Sequence, residues 1–302
     1  MTTATSTLYA ATGGALVRIR DGSVEDLGVR ARCVAVGTAG EVYAGGPEGA
    51  TRSDASNSLL LGDVFSVAVG PDGAAYAGME PSAVHVSRDG GETWTELTAL
   101  QEIPSKPRWS FPPRPWTSHV RWIAPSPHDA ELLLVGIELG GLMRSTDGGA
   151  TFSDHRPGAQ LDCHCLAWHP TVPGRAYQTA GGGAAWSADG GESWEPADAG
   201  RDRSYCWALA VDPEDPDAWW CSASPGPHAA HGGRDAQARI YRWDGDAWRP
   251  LTDELRSMPY ALLARGGVLY AGYNDGQLKA SEDGGETWED VAFLPAIVAL
   301  AA

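Results

Sequence analysis

The sequence predicts an all-β chain of seven four-stranded units closed into a single β-propeller domain over residues 1–302. Three observations carry that expectation. One eight-residue turn pattern occurs four times, and three weaker turns stand at matching places. Their mean spacing from Ile19 to Ser281 is about 44 residues, the period of propeller blades. The chain also starts on a second-strand pattern, Thr7 to Ala11, and ends on a first-strand pattern, Ala296 to Ala302. A last strand that joins the first blade closes the ring and removes its sheet edges. Six blades is the alternative count, with the short units before Arg88 merged into one irregular blade.

The repeated turn reads Ser87-Arg88-Asp89-Gly90-Gly91-Glu92-Thr93-Trp94 and returns from Ser145 to Phe152, Ser187 to Trp194 and Ser281 to Trp288. In such a turn an Asp carboxylate accepts backbone N–H groups. The Gly pair supplies positive φ without steric cost, and the terminal aromatic buries a large apolar area on the sheet. Turn chemistry accounts for every position, so Asp89, Asp147, Asp189 and Asp283 are structural.

Blade three shows the unit in full. Val64 to Val69 is its inner strand, Gly70 to Gly73 a turn, Ala74 to Met79 the second strand and Ala83 to Ser87 the third. The Asp turn then leads to a fourth strand near Trp94 to Leu97. The same order recurs from His119, Asp162, Tyr205 and Met258. Degraded turns at Arg20-Asp21-Gly22, Arg52-Ser53-Asp54-Ala55-Ser56 and Arg242 to Trp248 complete the seven.

This topology places the Asp turns on one face, the bottom, and any long second-to-third or blade-to-blade connection on the top, where loops carry function. Two connections are long. Ala99 to Thr117 holds Trp109, Trp116 and five prolines, and Ser224 to Ala238 holds His228 and His231. Loops of that length serve as lids or binding segments. The inner strands open onto the same face. Aligned on their following turns, they give Arg30, Asp63, His119, Asp162, Tyr205 and Met258 in one register. Two residues later they give Arg32, Phe65, Arg121, His164, Trp207, Tyr260 and Val298. Residues two apart share a strand face, so these side chains should line a central funnel.

His119-Val120-Arg121 and Asp162-Cys163-His164 are polar starts for inner strands. Glu80 and Glu138, ending the second strands of blades three and four, reach the same face. Two His and two or three carboxylates suit general acid–base work or an N/O metal site. The candidate catalytic residues are therefore His119, His164, Arg121, Glu138, Glu80, Asp162, Tyr205 and Tyr260. A divalent metal ion is a candidate cofactor, held by His119, His164 and Glu138. Arg30, Arg32, Trp109, Trp116, Trp207, His228 and His231 are candidates for binding substrate. Cys163 and Cys165 lack the redox spacing and, if Asp162 and His164 face the funnel, point into the blade as small buried hydrophobes.

Composition narrows the partners. A net charge of −17 argues against nucleic acid and anionic membranes. Five widely spaced cysteines and an N-terminus without a basic-then-apolar leader lead to the expectation of a cytoplasmic protein without a disulfide framework.

The repeated turn resembles the Asp box, or BNR repeat, of sialidase-like propellers, and the resemblance covers essentially the whole chain. It implies the scaffold; one propeller hosts many activities. Sialidases of this group carry an arginine triad, a Tyr–Glu nucleophile pair, an Asp acid and an early Phe/Tyr-Arg-Ile-Pro segment. Here the nearest string is Val17-Arg18-Ile19-Arg20, without the aromatic or the proline; a classical sialidase is not expected. Arg30, Arg32 and Arg121 would be the arginines nearest to such a cluster. The expected function is an enzyme, a hydrolase or lyase, acting on a small polar molecule in the funnel. The alternatives are a sialidase-like glycoside hydrolase or glycan-binding protein, and a non-catalytic scaffold for a protein partner of the kind similar BNR propellers form.

Overall fold

The computed structural model describes residues 7–54, 59–112, 117–233 and 235–302. Seven antiparallel sheets form a seven-bladed propeller. Their inner strands pack in a closed ring: Cys33–Val36, Asp63–Val69, Val120–Pro125, Cys163–Trp168, Tyr205–Val211, Pro259–Arg265 and Ala299–Ala301, which returns to the first. Ala299–Ala301 pairs with Leu8–Ala11, with Ala301 opposite Tyr9 and Ala299 opposite Ala11. The two ends of the chain thus build blade one together, as the sequence pattern predicts.

Blade three matches its expected strands closely, at Asp63–Val69, Ala75–Glu80, Val84–Ser87 and Thr95–Glu96. Blade four departs from the four-strand expectation. It has three strands, and only a single bridge between Arg144 and Ser153 stands for the fourth. The segment after its turn is diverted: the Asp154 carboxylate accepts the Ser105 N–H at 3.0 Å and the Ser105 hydroxyl, tying it to the long top loop.

The Asp turns show why four copies were retained so nearly intact. Ser87 Oγ accepts the Gly91 N–H and donates to Asp89, both at 2.8 Å. Asp89 then accepts the Thr93 N–H at 2.9 Å and the Thr93 hydroxyl. Trp94 Nε1–H closes the turn on the Gly91 carbonyl at 3.1 Å. Gly90 and Gly91 have φ of 77° and 91°, the left-handed region that other residues rarely adopt. Asp147, Asp189 and Asp283 repeat the pattern. The degraded turn of blade one is a two-residue hairpin in which Asp21 and Gly22 both have positive φ, the backbone a primed turn demands.

The hydrogen bonds from Thr93 and Ser87 hold the Asp89 carboxyl down at about 2. A carboxyl depressed on folding stabilises the fold above its unfolded pKa, near 4, and that contribution fades as pH falls through the folded value. The turns should hold to pH 4 and fail toward pH 2 in an acid titration followed by circular dichroism. Asp189→Ala, which strips three hydrogen bonds from its turn, should lower Tm by roughly 2–6 °C.

The core lies between blades. Cys165, Tyr177 and Ala184 of blade five pack on Leu209, Trp219 and Tyr241 of blade six. Leu133, Val135 and Met143 of blade four pack on Tyr76, Val84 and Val86 of blade three. Cys163 and Cys165 are both buried in these layers, and burial pushes the Cys165 thiol up to about 12. No described helix is long and apolar enough to cross a membrane.

Candidate functional site

A strand ladder alternates its side chains strictly, unless a residue is left out of the pairing. In five of the seven inner strands the register breaks near the start. The breaks fall between Val64 and Ser66, Val120 and Trp122, Cys163 and Cys165, Cys206 and Leu209, and Pro259 and Ala261. The residues left out are Phe65, Arg121, His164, Trp207 with Ala208, and Tyr260. A bulge bends the strand and re-aims the freed side chain. These five side chains, with Arg32 and Val298 from the two remaining blades, line a central cavity of about 470 Å³. The whole second register expected from the sequence is thus brought together.

Most of the first register stands just above and behind it. His119 Nε2 lies 2.7 Å from Glu138 Oε2. A carboxylate only accepts, so Nε2 carries a proton, while Nδ1 is buried without a hydrogen-bond partner among the described residues, 3.8 Å from Glu80 Oε2. Phe65 stacks on the His119 ring at 4.1 Å and Phe111 meets it edge-on at 5.0 Å. His164 turns its other nitrogen to its partner. Its Nδ1 lies 2.6 Å from the Cys206 carbonyl, which also only accepts, so Nδ1 carries a proton. Its Nε2 faces Asp162 Oδ2 at 3.5 Å and has no hydrogen-bond partner among the described residues.

Glu138 is the hinge of the cluster. Burial alone would raise its pKa, but the His119 hydrogen bond and the charge of Arg121 outweigh it and hold the carboxyl near 2. Arg121 Nε is 3.5 Å from Glu138 Oε2, and its guanidinium lies 4.6 Å over the Trp207 ring. Glu138, Asp162 and His164 each present one ligand atom, and the three atoms lie within 4.8 Å of one another. This convergent trio differs by one member from the residues expected to hold a metal: it contains Asp162 and not His119, whose Nε2–H is committed to Glu138.

Within the second long loop, Pro227–His231 forms a five-residue helix. His231 bridges two blades. Tyr205 OH is 2.9 Å from His231 Nε2, and His231 Nδ1 is 2.8 Å from Tyr260 OH. Burial and the proximity of other positive groups pull His231 down to about 4, while burial raises both phenols. At neutral pH the order of protons follows. Tyr260 donates to the Ala230 carbonyl at 3.3 Å and takes the His231 Nδ1–H, so Tyr205 donates to Nε2. Trp207 lies under this bridge, 4.6 Å from His231 and 4.5 Å from His164.

Several expected binding residues stand elsewhere. Arg30 pairs with Glu48 at 2.8 Å on the exposed rim, because the chain leaves the ladder before Arg32. Trp109 is buried among Leu100, Ile103 and Ile137, and its indole N–H donates to Ser105 Oγ at 3.0 Å; it is core and not a cavity wall. His228, three residues before His231, is on the exposed side of the helix. Met258 is fully buried beside Tyr205 and Tyr260. Trp116 lies outside the described residues. Arg32 reaches the cavity, paired with Asp63 at 2.6 Å and lying 4.2 Å over the Phe65 ring. Phe111, which meets His119 edge-on, was not among the expected site residues; Phe65, stacked on the same ring, was expected only as a wall of the funnel.

The family described as BNR/Asp-box repeat matches residues 85–96. No curated protein matches the chain's sequence significantly. Among solved structures, the chain is similar to the GH74 xyloglucanase from Xanthomonas campestris, at 19% identity and a TM-score of 0.64, over 94% of this chain and 47% of that one. It is similar to the Niastella koreensis GH74 enzyme at 17% identity and a TM-score of 0.64, with the same coverage. A structure described as YCF48 bound to D1 peptide matches at 15% identity and a TM-score of 0.55, over 94% of this chain and 84% of that one. The chain spans about half the length of the two GH74 enzymes. At these identities the likeness is one of fold.

Proposed function

We propose that this chain, an Asp-box (BNR) repeat β-propeller, is an enzyme that acts on a small molecule in its top funnel by His and carboxylate chemistry. One observation carries the reading. Glu138, buried and ionised, stands beside two imidazoles, each with one ring nitrogen held by an acceptor and the other buried without a hydrogen-bond partner among the described residues. An orienting carboxylate behind an imidazole is the arrangement of a general base. His119 Nδ1 is the base in this reading, Glu138 holds its tautomer and stabilises the cation that forms on proton uptake. Arg121 holds a substrate anion or the charge that develops on it. Tyr205 and Tyr260, kept protonated, brace His231 over the same funnel. Hydrolysis or elimination can each use such a base.

His119→Ala and His164→Ala test the reading. Each should reduce turnover by roughly 10²–10⁴-fold while the circular dichroism spectrum and the propeller's melting remain those of a folded protein. Turnover unchanged in both variants would rule the reading out.

A metal-assisted version rests on a separate observation, the convergence of Glu138, Asp162 and His164. Nitrogen and oxygen ligands of this kind suit zinc or a neighbouring divalent ion, and the Cys206 carbonyl orients His164 as a metal-bound imidazole requires. Such an ion would supply Lewis acidity or an activated water. Elemental mass spectrometry on tag-free protein should then find one ion per chain, lost in His164→Ala; no ion in either sample leaves metal-free acid–base chemistry. A glycoside hydrolase reading has the GH74 likeness and the closeness of the Glu138 and Asp162 oxygens in its favour, near the roughly 5 Å carboxyl separation of retaining enzymes.

A further inference from the structure

The cavity changes character along its length. At the top stand the guanidiniums of Arg32 and Arg121, each laid over an aromatic ring, with His164 beside them. Asp63 is 2.6 Å from Arg32, and Glu138 is 3.5 Å from Arg121. A guanidinium carries five N–H donors, so one carboxylate contact leaves most of the fork free to take more. Below that ring the wall changes character. Val67, Trp122, Leu166, Leu209, Leu263 and Leu300 line the same continuous space, and Arg265 stands at its far end. All of these apolar residues but Leu300 lie on inner strands of six or seven residues, which span roughly 20 Å.

A channel with apolar walls holds water poorly and gains from an apolar guest. A small, wholly polar molecule would leave this lower part of the cavity without a partner. We infer that the ligand of this site is an amphipathic carboxylate, its anionic end at Arg32 and Arg121 and its hydrocarbon part running down the propeller axis. This rests on the funnel being the ligand site, as proposed above, and it replaces the small polar molecule with one of defined chemistry. It requires no particular reaction, only occupancy.

The test is a binding ladder read by tryptophan fluorescence, since Trp207 and Trp122 line the cavity, and confirmed by calorimetry. The probes are straight-chain carboxylates from butyrate to decanoate, with n-alkylammonium ions of equal length as the opposite charge. Affinity should rise about three- to fourfold per methylene until the channel is filled, and the ammonium series should bind at least about tenfold more weakly. Arg32→Gln should weaken every carboxylate by a similar factor and leave the dependence on length intact. Leu263→Trp, checked for a native melt, should block the channel and flatten that dependence.

Affinity independent of length overturns the inference, as does an ammonium series that binds as well as the carboxylates. A length dependence that survives in folded Leu263→Trp overturns it too, because the alkyl chain is then bound elsewhere; should that variant not fold, Ala167→Leu at the same wall makes the same measurement. Turnover in His119→Ala and His164→Ala is measured separately, so loss of the ladder with loss of turnover in those variants rejects the ligand class and keeps the catalytic reading.

Discussion

Glu138→Ala should destabilise the protein by about 3–5 kcal/mol, the usual effect of removing one partner from a buried charge cluster. The side chain is almost wholly buried and meets three groups at once: His119, Arg121 and the His164 side of the funnel. Alanine leaves the His119 Nε2–H without its acceptor and Arg121 without its carboxylate. Glu138→Gln keeps an oxygen for His119 and removes only the charge, so it should cost clearly less. Urea titrations of the three proteins measure the difference, and equal midpoints for wild type and alanine would show that the cluster is not coupled to the fold. The pH dependence has a definite sign. Glu138 is depressed on folding, to about 2. Its contribution is present above the unfolded value near 4.3 and is lost as pH falls through the folded one. Wild type should therefore lose stability relative to Glu138→Gln between pH 4 and pH 2.

Removing residues 296–302 should have an effect of similar size by a different route. Ile297 is fully buried, its N–H donates to the Tyr273 carbonyl at 3.0 Å, and its side chain occupies the space over Gly272 that any Cβ there would fill. The next residues form the inner strand of blade one. Their loss takes away a buried Ile, worth about 2–5 kcal/mol, and exposes the edge of Leu8–Ala11 to other chains. The melting temperature should fall by roughly 10 °C or more, with dimers or larger species on size exclusion. A truncated protein that stays monomeric and melts as before would mean that the ring does not depend on that closure.

What could be read from the sequence was the chemistry that is local. Four Asp turns carry their hydrogen bonds within eight residues, so the turn, the blade boundaries and the blade count follow from composition at fixed offsets. The second inner-strand register was also legible, because Arg32, Arg121, His164, Trp207 and Tyr260 recur at one place before each turn. Their convergence was not legible in detail. It depends on bulges at Phe65, Arg121, His164, Trp207 and Tyr260, and a bulge is set by pairing with the next strand, not by the residue that is left out. Trp109 shows the same limit. A tryptophan in a Pro-rich loop looks available, but two short 3₁₀ turns and Ser105 fold it into the core. His228 and His231 lie on one five-residue helix and differ in that only His231, at its last residue, reaches Tyr205 and Tyr260, a distinction that no spacing in a Gly- and Ala-rich loop could supply. The outer strand missing from blade four was hidden for a related reason. Asp154 is held by Ser105, 49 residues away in sequence.

The account stands most directly on turnover by wild type and Glu138→Gln across one panel of ester, amide, phosphate and glycoside hydrolysis and of elimination substrates, carboxylate-bearing members included. It predicts a measurable activity in wild type that falls at least about a hundredfold in folded Glu138→Gln, because the neutral amide cannot stabilise a cation on the His119 ring. An activity that Glu138→Gln retains in full, or a wild type inert toward every class, would contradict it.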